Sequence, residues 1–225
     1  RTIDSLQSDL DMQAPPRRIE SFDNSNIQGR YPVAGMVCFV DGKPRKGEYR
    51  KFNIKTVDGI DDFASMREVV SRKYRRALDE GTTLPDLILI DGGKGQLSAA
   101  KSALDDLGLE YIPIIGLAKK LEEVFKPGLS DPQNIPKTSP GLFLLRKIRD
   151  EVHRFAISFH RSKRDKQMTG SMFDEIKGMG KVKIKRLWSE FESLDQIKKS
   201  SPRQIMDTLK VTEGIAKEII KKSNK

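Results

Sequence analysis

The sequence is poor in cysteine and histidine. Its 225 residues include one cysteine, Cys38, and two histidines, His153 and His160. A single cysteine excludes an internal disulfide and suits a reducing compartment, so we predict a cytoplasmic protein. No signal peptide follows Arg1 and no apolar run is long enough to cross a bilayer, so we expect no membrane contact. Because the chain begins without Met, we expect it to be part of a longer protein.

Positive charge is in excess, but it is unevenly distributed along the chain. The formal net charge is +10 and the pI is about 9.6, and basic proteins of this size often bind polyanions. Residues 1–141 hold 21 Lys and Arg against 21 Asp and Glu, whereas residues 142–225 hold 21 against 11. The last third is therefore predicted to carry a basic surface that binds nucleic acid. The alternative is that the excess of positive charge serves only to keep the protein soluble.

The first 164 residues alternate strands and helices as an α/β domain does. After a polar lead-in at residues 1–18, strands are predicted at residues 19–23, 33–40, 46–55, 87–90 and 111–117. Helices are predicted at residues 61–80, 96–107 and 142–164, with a loop rich in proline and glycine at 126–141. A turn at Asp41 and Gly42 makes the second and third strands an antiparallel hairpin, whereas the later strand–helix–strand order implies parallel pairing.

The remaining residues are predicted to form a smaller domain. Residues 165–172 are polar and are predicted to be a linker, followed at residues 173–225 by four or five short helices. Glycine-containing turns at residues 176–180 and 212–216 fit helix–hairpin–helix turns, in which glycine lets the backbone approach a DNA phosphate. The predicted DNA-binding residues of these turns are Gly178, Gly180, Lys181, Lys183, Gly214 and Lys217. The alternative is that both are ordinary turns of a small helical domain.

Two predicted strands end in an aspartate, at Asp23 and Asp91. If these strands are parallel neighbours, their carboxylates converge, and a cation between them would relieve the repulsion that otherwise raises one pKa. Mg²⁺ or Mn²⁺ suits such oxygen ligands and can promote phosphodiester hydrolysis. His153 and His160 lie seven residues apart on a similar helical face, and either could bind the metal or carry a proton. Taken singly, each of these residue types is more often structural than functional.

The segments next to these aspartates contain further candidates. Asp61 and Asp62 precede a predicted helix. They could cap that helix or take part in the metal site, and the sequence favours neither role over the other. Lys94 lies in a glycine-rich turn, but Gly95 follows it where a nucleotide-binding phosphate loop requires serine or threonine. We therefore predict that Lys94 and neighbouring backbone N–H groups contact a DNA phosphate.

Three stretches of the sequence resemble the C-terminal half of the UvrC family, the incision subunit of the bacterial excinuclease. They are residues 17–29 (RRIESFDNSNIQG), 85–96 (PDLILIDGGKGQ) and 148–156 (IRDEVHRFA). The resemblance covers essentially the whole chain. It implies an α/β fold with a ribonuclease H-like mixed sheet flanked by helices, joined to a small all-α domain of tandem helix–hairpin–helix motifs. It also implies a metal-dependent DNA endonuclease that makes the 5′ incision next to a lesion in bacterial nucleotide excision repair.

The resemblance assigns residues and partners as well. It implies an Asp-Asp-His site at Asp23, Asp91 and His153, which favours His153 over His160, and it matches Asp62 to another acidic position linked to the incision. It also implies that the strand of Asp91 lies beside the strand of Asp23. Double-stranded DNA with a lesion or a junction is the expected substrate. UvrB, with UvrA in the pathway, is expected to act through parts outside these 225 residues, and we expect a monomer.

The second glycine turn departs from the family pattern. The family usually has Val-Pro-Gly-Ile where this chain has residues 212–215, Thr-Glu-Gly-Ile. A carboxylate near a phosphate is unfavourable, so this turn is expected to bind DNA weakly or to serve mainly as structure. Two alternative functions stay open, a DNA-binding module with a non-catalytic nuclease fold and a ribonuclease H-like junction resolvase. The number of metal ions, one or two, also stays open.

Overall fold

The computed structural model describes residues 1–25, 33–55, 57, 61–118, 122–191 and 193–224, and for residues 159–171 the backbone alone. The chain divides into two compact units, Arg1–Ile157 and Ser158–Lys225. The first contains a sheet and is called the sheet unit below. The second is built from helices and is called the helical unit.

Seven strands among the described residues form one mixed sheet. They are β1 (Arg18–Ser25), β2 (Val33–Val40), β3 (Lys43–Pro44), β4 (Arg50–Asn53), β5 (Leu87–Asp91), β6 (Ile114–Leu117) and β7 (Val124–Phe125). Their order is β3-β2-β1-β5-β6-β7, and β4 also pairs with β2. β1 pairs antiparallel with β2 and parallel with β5, and β5 pairs parallel with β6. The predicted mixed sheet and the adjacency of the two aspartate strands are confirmed.

Helices cover both faces of this sheet. They are α1 (Thr2–Asp9), α2 (Asp62–Glu80), α3 (Lys94–Asp106) and the first part of α4 (Pro140–Asp174). Side chains of α2 and α3 pack with Phe22, Ile88 and Ile90 in one core. Side chains of α1 and α4 pack with Leu87 and Leu89 in the other. β5 is therefore buried on both faces, which explains its unbroken apolar sequence. None of the described helices combines the length and apolar character that crossing a bilayer requires.

The polar lead-in contains a helix that sequence analysis missed. Leu6 and Leu10 of the α1 segment are buried in the core that α1 shares with α4, and Ile3 packs against it. These apolar residues recur at helical spacing, but the segment between them is polar. The third predicted strand is also shorter than expected, because Lys46–Glu48 form a 3₁₀ turn before β4.

The helical unit contains α5 (Lys181–Glu190), α6 (Leu194–Lys199), α7 (Pro202–Leu209) and α8 (Glu213–Ser223). A single core that includes Phe173, Leu187 and Trp188 holds these helices together. The helix α4 extends through residues 165–172, where sequence analysis predicts a linker, and the boundary between the units falls at residues 157 and 158. The segment 165–172 contains no proline and one glycine, Gly170, so its polar sequence is compatible with a continuous helix.

Candidate metal centre

Asp23 and Asp91 lie side by side at the carboxyl ends of two parallel strands. The register pairs Phe22 of β1 with Ile90 of β5, and each aspartate is the next residue in its strand. Phe22 and Ile90 point into the core under α2 and α3. Because side chains alternate along a strand, the two carboxylates point to the other face, towards α4.

His153 of α4 completes a group of three. Its Nδ1 lies 2.8 Å from Asp23 Oδ2 and 3.6 Å from Asp91 Oδ2. One ligand atom from each of the three residues lies within 4.8 Å of the others. The Asp23 and Asp91 side chains are 3% and 0% exposed, whereas that of His153 is 43% exposed. The rival candidate His160 has a side chain outside the described part of the structure.

A glycine in the neighbouring strand brings α4 close to this site. Gly35 of β2 pairs directly with Asp23. A Cβ atom added at Gly35 would lie 3.0 Å from Phe155 Cδ1 and 3.3 Å from Ala156 Cα. The helix that carries His153 therefore rests on the bare backbone of Gly35. Sequence analysis did not single out this residue, although a glycine inside an apolar strand is a known sign of close approach.

The donor set fits a divalent cation. Two buried carboxylates that converge repel each other, and a cation between them relieves this repulsion. Carboxylate oxygens suit Mg²⁺ and Mn²⁺, and an imidazole nitrogen is accepted more readily by a transition ion such as Mn²⁺. The partial exposure of His153 leaves one side of the group open to solvent, which a substrate needs to reach it.

Asp61 and Asp62 have different places at the start of α2. Asp61 is the N-cap, and its carboxylate accepts hydrogen bonds from the backbone N–H groups of Phe63 and Ala64. Asp62 is exposed in the first turn, and its backbone carbonyl accepts a hydrogen bond of 2.9 Å from Asn24 Nδ2. Among the described residues, the group of potential metal ligands contains Asp23, Asp91 and His153 but not Asp62.

Lys94 begins α3, directly after the turn that follows Asp91. Its ammonium group donates a hydrogen bond to the backbone carbonyl of Ser130 and lies 5.0 Å from the centre of the Phe125 ring. The ammonium group has three N–H donors, so this internal hydrogen bond does not by itself prevent Lys94 from contacting a DNA phosphate.

Another buried carboxylate of β1, Glu20, faces away from the metal centre. Its Oε1 lies 3.6 Å from both Arg18 and Lys73, and its Oε2 accepts a hydrogen bond of 3.3 Å from the Tyr74 hydroxyl. Burial raises the pKa of Glu20, and the two neighbouring cations oppose this effect. Glu20 therefore belongs to a structural charge network under α2.

The first glycine turn of the helical unit lies directly before α5 and contains a residue in the left-handed conformation. Gly178 has a φ of +97°, and a Cβ added there would lie 2.9 Å from Ile215 Cδ1. Gly180 is the N-cap of α5, whose first turn carries Lys181 and Lys183. Lys183 Nζ donates a 3.0 Å hydrogen bond to the Gly178 carbonyl. Both the backbone conformation and the packing of Ile215 thus require glycine at position 178.

The second glycine turn is built differently. Helix α8 already begins at Glu213, with Thr212 as its N-cap, so Gly214 lies inside the first helical turn. The chain reverses earlier, at Lys210, which has a φ of +54°. Lys217 Nζ forms a 2.7 Å ion pair with Glu213, and this pairing lowers the pKa of Glu213. The two segments that look alike in sequence therefore have different local structures.

Comparisons with known proteins identify the family of this chain. The family model of the UvrC RNase H endonuclease domain matches residues 7–157. Proteins called UvrABC system protein C are similar over most of the chain. That of Christiangramia forsetii is 50% identical over 93% of this chain, and that of Flavobacterium johnsoniae is 48% identical over 98%. The chain spans 35% and 37% of the length of these two relatives.

Solved structures give a weaker likeness. An endonuclease V from Ciona intestinalis, in complex with DNA that contains an inosine, is 17% identical with a TM-score of 0.39. The match covers 54% of this chain and 56% of that one. Human endonuclease V is 20% identical with a TM-score of 0.33, and the match covers 51% and 50% of the two chains. These scores are too low to carry an argument about function.

Proposed function

Because this chain belongs to the UvrC family and contains its RNase H endonuclease domain, we propose that it is a divalent-metal-dependent DNA endonuclease. In this proposal it makes the 5′ incision next to a lesion during nucleotide excision repair. UvrB and UvrA are the proposed partners of the longer protein. The observation that supports the proposal most strongly is the convergence of Asp23, Asp91 and His153 at the end of two parallel strands.

In this mechanism Asp23 and Asp91 hold Mg²⁺ or Mn²⁺ through their carboxylate oxygens. A bound divalent ion supplies positive charge to a phosphodiester and makes hydroxide available at neutral pH. The parallel pairing of β1 and β5 fixes the two carboxylates before any ligand arrives, because both are buried in the sheet edge. Carboxylates fixed in this way would bind a cation without first having to be reoriented.

His153 has two possible tasks, which its geometry keeps open. Its Nδ1 atom points at both carboxylates, so it can serve as a third ligand through that atom. It can instead donate a hydrogen bond from Nδ1 to Asp23 Oδ2 and take or give a proton at its other ring nitrogen, Nε2. Asp62 is proposed to act from the exposed first turn of α2, outside the group of three, towards the DNA or a second ion.

The helical unit is proposed to hold the DNA duplex. The turn at Gly178 and Gly180 presents bare backbone and the start of α5, and Lys181 and Lys183 follow at once. Such a turn contacts phosphates without reading sequence, which suits a protein that must cut at damage of any sequence. The second turn, with Gly214 and Lys217, is proposed to contribute less because Glu213 places a carboxylate there.

The proposal is tested by measuring 5′ incision of a lesion-containing duplex by the intact protein with its partners. We expect Asp23→Asn and Asp91→Asn each to lower the incision rate at least about thousand-fold, since each removes a charged donor on which the reaction depends. Asp79→Asn, an exposed residue near the other end of α2, is the matched control and should cut normally. DNA affinity should change little in all three variants.

Normal incision by a folded Asp23→Asn or Asp91→Asn variant would overturn the assignment. A protein that binds DNA equally well in a chelator and never cuts would be a non-catalytic binding module. Cutting of four-way junctions without any dependence on a lesion would instead favour a junction resolvase.

A further inference from the structure

Phe63 is an exposed aromatic side chain on the edge of the sheet unit that carries the metal centre. It is 57% exposed, whereas Met66, Val69 and Val70 of the same helix are buried. A single exposed apolar residue is common on protein surfaces and by itself indicates nothing. Phe63 differs from such residues because its backbone and its ring are both held by residues that follow Asp23 and Asp91 in the chain.

The backbone of Phe63 is linked to the strand of Asp23. Asn24 directly follows Asp23, and its Nδ2 donates a 2.9 Å hydrogen bond to the carbonyl of Asp62. The carboxylate of Asp61 accepts a 3.1 Å hydrogen bond from the Phe63 N–H. These two bonds hold the first turn of α2 at the carboxyl ends of the strands, so Phe63 occupies a defined position rather than a fraying helix end.

The ring of Phe63 is also fixed. Its tip rests on Gly95, in the first turn of α3 and four residues after Asp91. A Cβ atom added at Gly95 would lie 2.3 Å from Phe63 Cζ and 2.5 Å from Cε1. The ring therefore bridges the starts of α2 and α3. One edge of the ring is packed on backbone, and more than half of the side chain is open to solvent.

We propose that Phe63 is the surface against which a nucleotide next to the scissile phosphate stacks. This inference rests on the proposed DNA cleavage. Asp23 and Asp91 lie at the sheet edge with α2 and α3 on one side and His153 on the other. A DNA strand that crosses this edge to reach the carboxylates passes the start of α2. An aromatic ring stacks on any base, so it can hold the strand without selecting a sequence.

The stacking has a consequence for the reaction. The carboxylates act on one phosphate, but they do not determine the direction in which the strand leaves it. A nucleotide held on Phe63 would fix that direction and so align the bond to be broken. The rigid support from Gly95 matters here, because a mobile ring would not restrict the strand.

The direct test is photo-crosslinking with 5-iodouracil placed at each of the three positions on either side of the incision. We expect one or two adjacent positions to crosslink to the peptide that contains Phe63, in the intact protein bound to a lesion-containing duplex. Phe63→Leu should lose the crosslink and cut about ten-fold to hundred-fold more slowly at subsaturating DNA, and Phe63→Tyr should retain both. Tyr111→Leu is the matched control, since Tyr111 is 69% exposed but precedes β6 at the amino ends of the parallel strands.

Two results would overturn the inference while leaving the endonuclease assignment intact. One is wild-type cutting by Phe63→Leu. The other is a lower melting temperature of this variant with no crosslink to Phe63 in the wild type, which would show that the ring only packs α2 against α3. If the wild-type protein does not cut at all, the proposed function fails instead, and the crosslink still reports on stacking.

Discussion

The sheet unit and the helical unit differ in what they carry. Residues 1–157 hold 25 Lys and Arg against 23 Asp and Glu, whereas residues 158–225 hold 17 against 9. The three residues of the metal centre all lie in the nearly neutral sheet unit. Most of the net positive charge lies in the helical unit. Under the proposed function, this comparison predicts that cutting DNA and holding DNA are separable.

The two units also position their functional groups by different means. In the sheet unit, an apolar core packs against each face of the sheet, and the buried carboxylates are held at the ends of two paired strands. In the helical unit, short helices surround one small core, and the turn at Gly178 faces solvent. A substitution that disturbs the first unit should therefore alter the reaction, and one in the second should alter affinity.

Among the substitutions that test whether the two units have separate roles, Gly35→Ala in the sheet unit is expected to have the largest effect, which is on the incision rate. The new methyl group would press on Phe155 and Ala156 and move α4, and with it His153, away from Asp23. These contacts require α4 to shift by a few tenths of an ångström. Because a displacement of about 1 Å can lower a rate about hundred-fold, the loss should be at most about hundred-fold, and overpacking lowers stability by about 1–3 kcal/mol. The incision rate and the melting temperature should both fall, while DNA affinity stays within about two-fold. A large loss of affinity instead would break the proposed separation.

The next largest effect is expected from the double variant Lys181→Ala and Lys183→Ala. Each lysine that neutralises a phosphate contributes about 0.9 to the salt dependence of binding, so the slope of log affinity against log salt should fall by about 1.8. At about 0.15 M salt this corresponds to about 30-fold weaker binding. The rate at saturating DNA should not change. The control is the double variant Lys198→Ala and Lys199→Ala, which removes the same charge from α6. An equal loss of DNA affinity in the two double variants would show that the turn before α5 does not bind DNA more strongly than the rest of the helical unit.

A smaller effect, confined to one unit, is expected from Gly178→Ala. An alanine in this left-handed conformation costs about 1–2 kcal/mol, and its methyl group would also press on Ile215. Trp188, the single tryptophan, is buried in the helical unit, and Cys38, the single cysteine, is buried in the sheet unit. Trp188 fluorescence should therefore report unfolding at lower denaturant concentration in the variant.

The thiol of Cys38 supplies the control for this experiment. Burial raises its pKa to about 12, so the native thiol should resist alkylation at pH 8 until the sheet unit opens. The denaturant concentration at which Cys38 becomes reactive should be the same in Gly178→Ala and in the wild type. A parallel shift of both signals would mean that the two units unfold together.

The smallest effect is expected from Glu213→Gln. The substitution removes a negative charge from the start of α8 and breaks the ion pair with Lys217. If the second turn lies near a phosphate, affinity should rise by up to about five-fold and the salt slope should increase by about 0.9. Unchanged affinity would indicate that this turn serves the core of the helical unit alone.

Much of the sheet unit could be predicted from the sequence. Residues 87–90 are apolar without interruption, and residues 61–80 have helical spacing between a capping aspartate and Gly81, so β5 and α2 were predicted within a few residues. Strand-end logic predicted that Asp23 and Asp91 converge if their strands are parallel neighbours, and the family resemblance implied that they are neighbours. The choice between His153 and His160 was not possible from spacing, because both lie on one helical face, and it came from the family resemblance alone.

The elements that sequence analysis missed depend on contacts between distant residues. The helix α1 owes its burial to α4, more than a hundred residues later. The importance of Gly35 appears only once α4 lies on β2. In the helical unit, residues 176–180 and 212–216 share a glycine pattern, but α8 begins at Glu213, so that Gly214 lies inside its first turn. Local sequence could not reveal which of the two glycines would bend the backbone.

The central claim is that Asp23 and Asp91 hold the catalytic ion beside His153, and diffraction from crystals of this chain soaked in Mn²⁺ tests it most directly. We predict an anomalous difference peak about 2.1 Å from a carboxylate oxygen of each aspartate, on the side that faces His153 Nδ1. The peak should vanish in Asp91→Asn crystals. No peak between the two aspartates, or a dominant peak at Asp61 and Asp62 instead, would contradict the account.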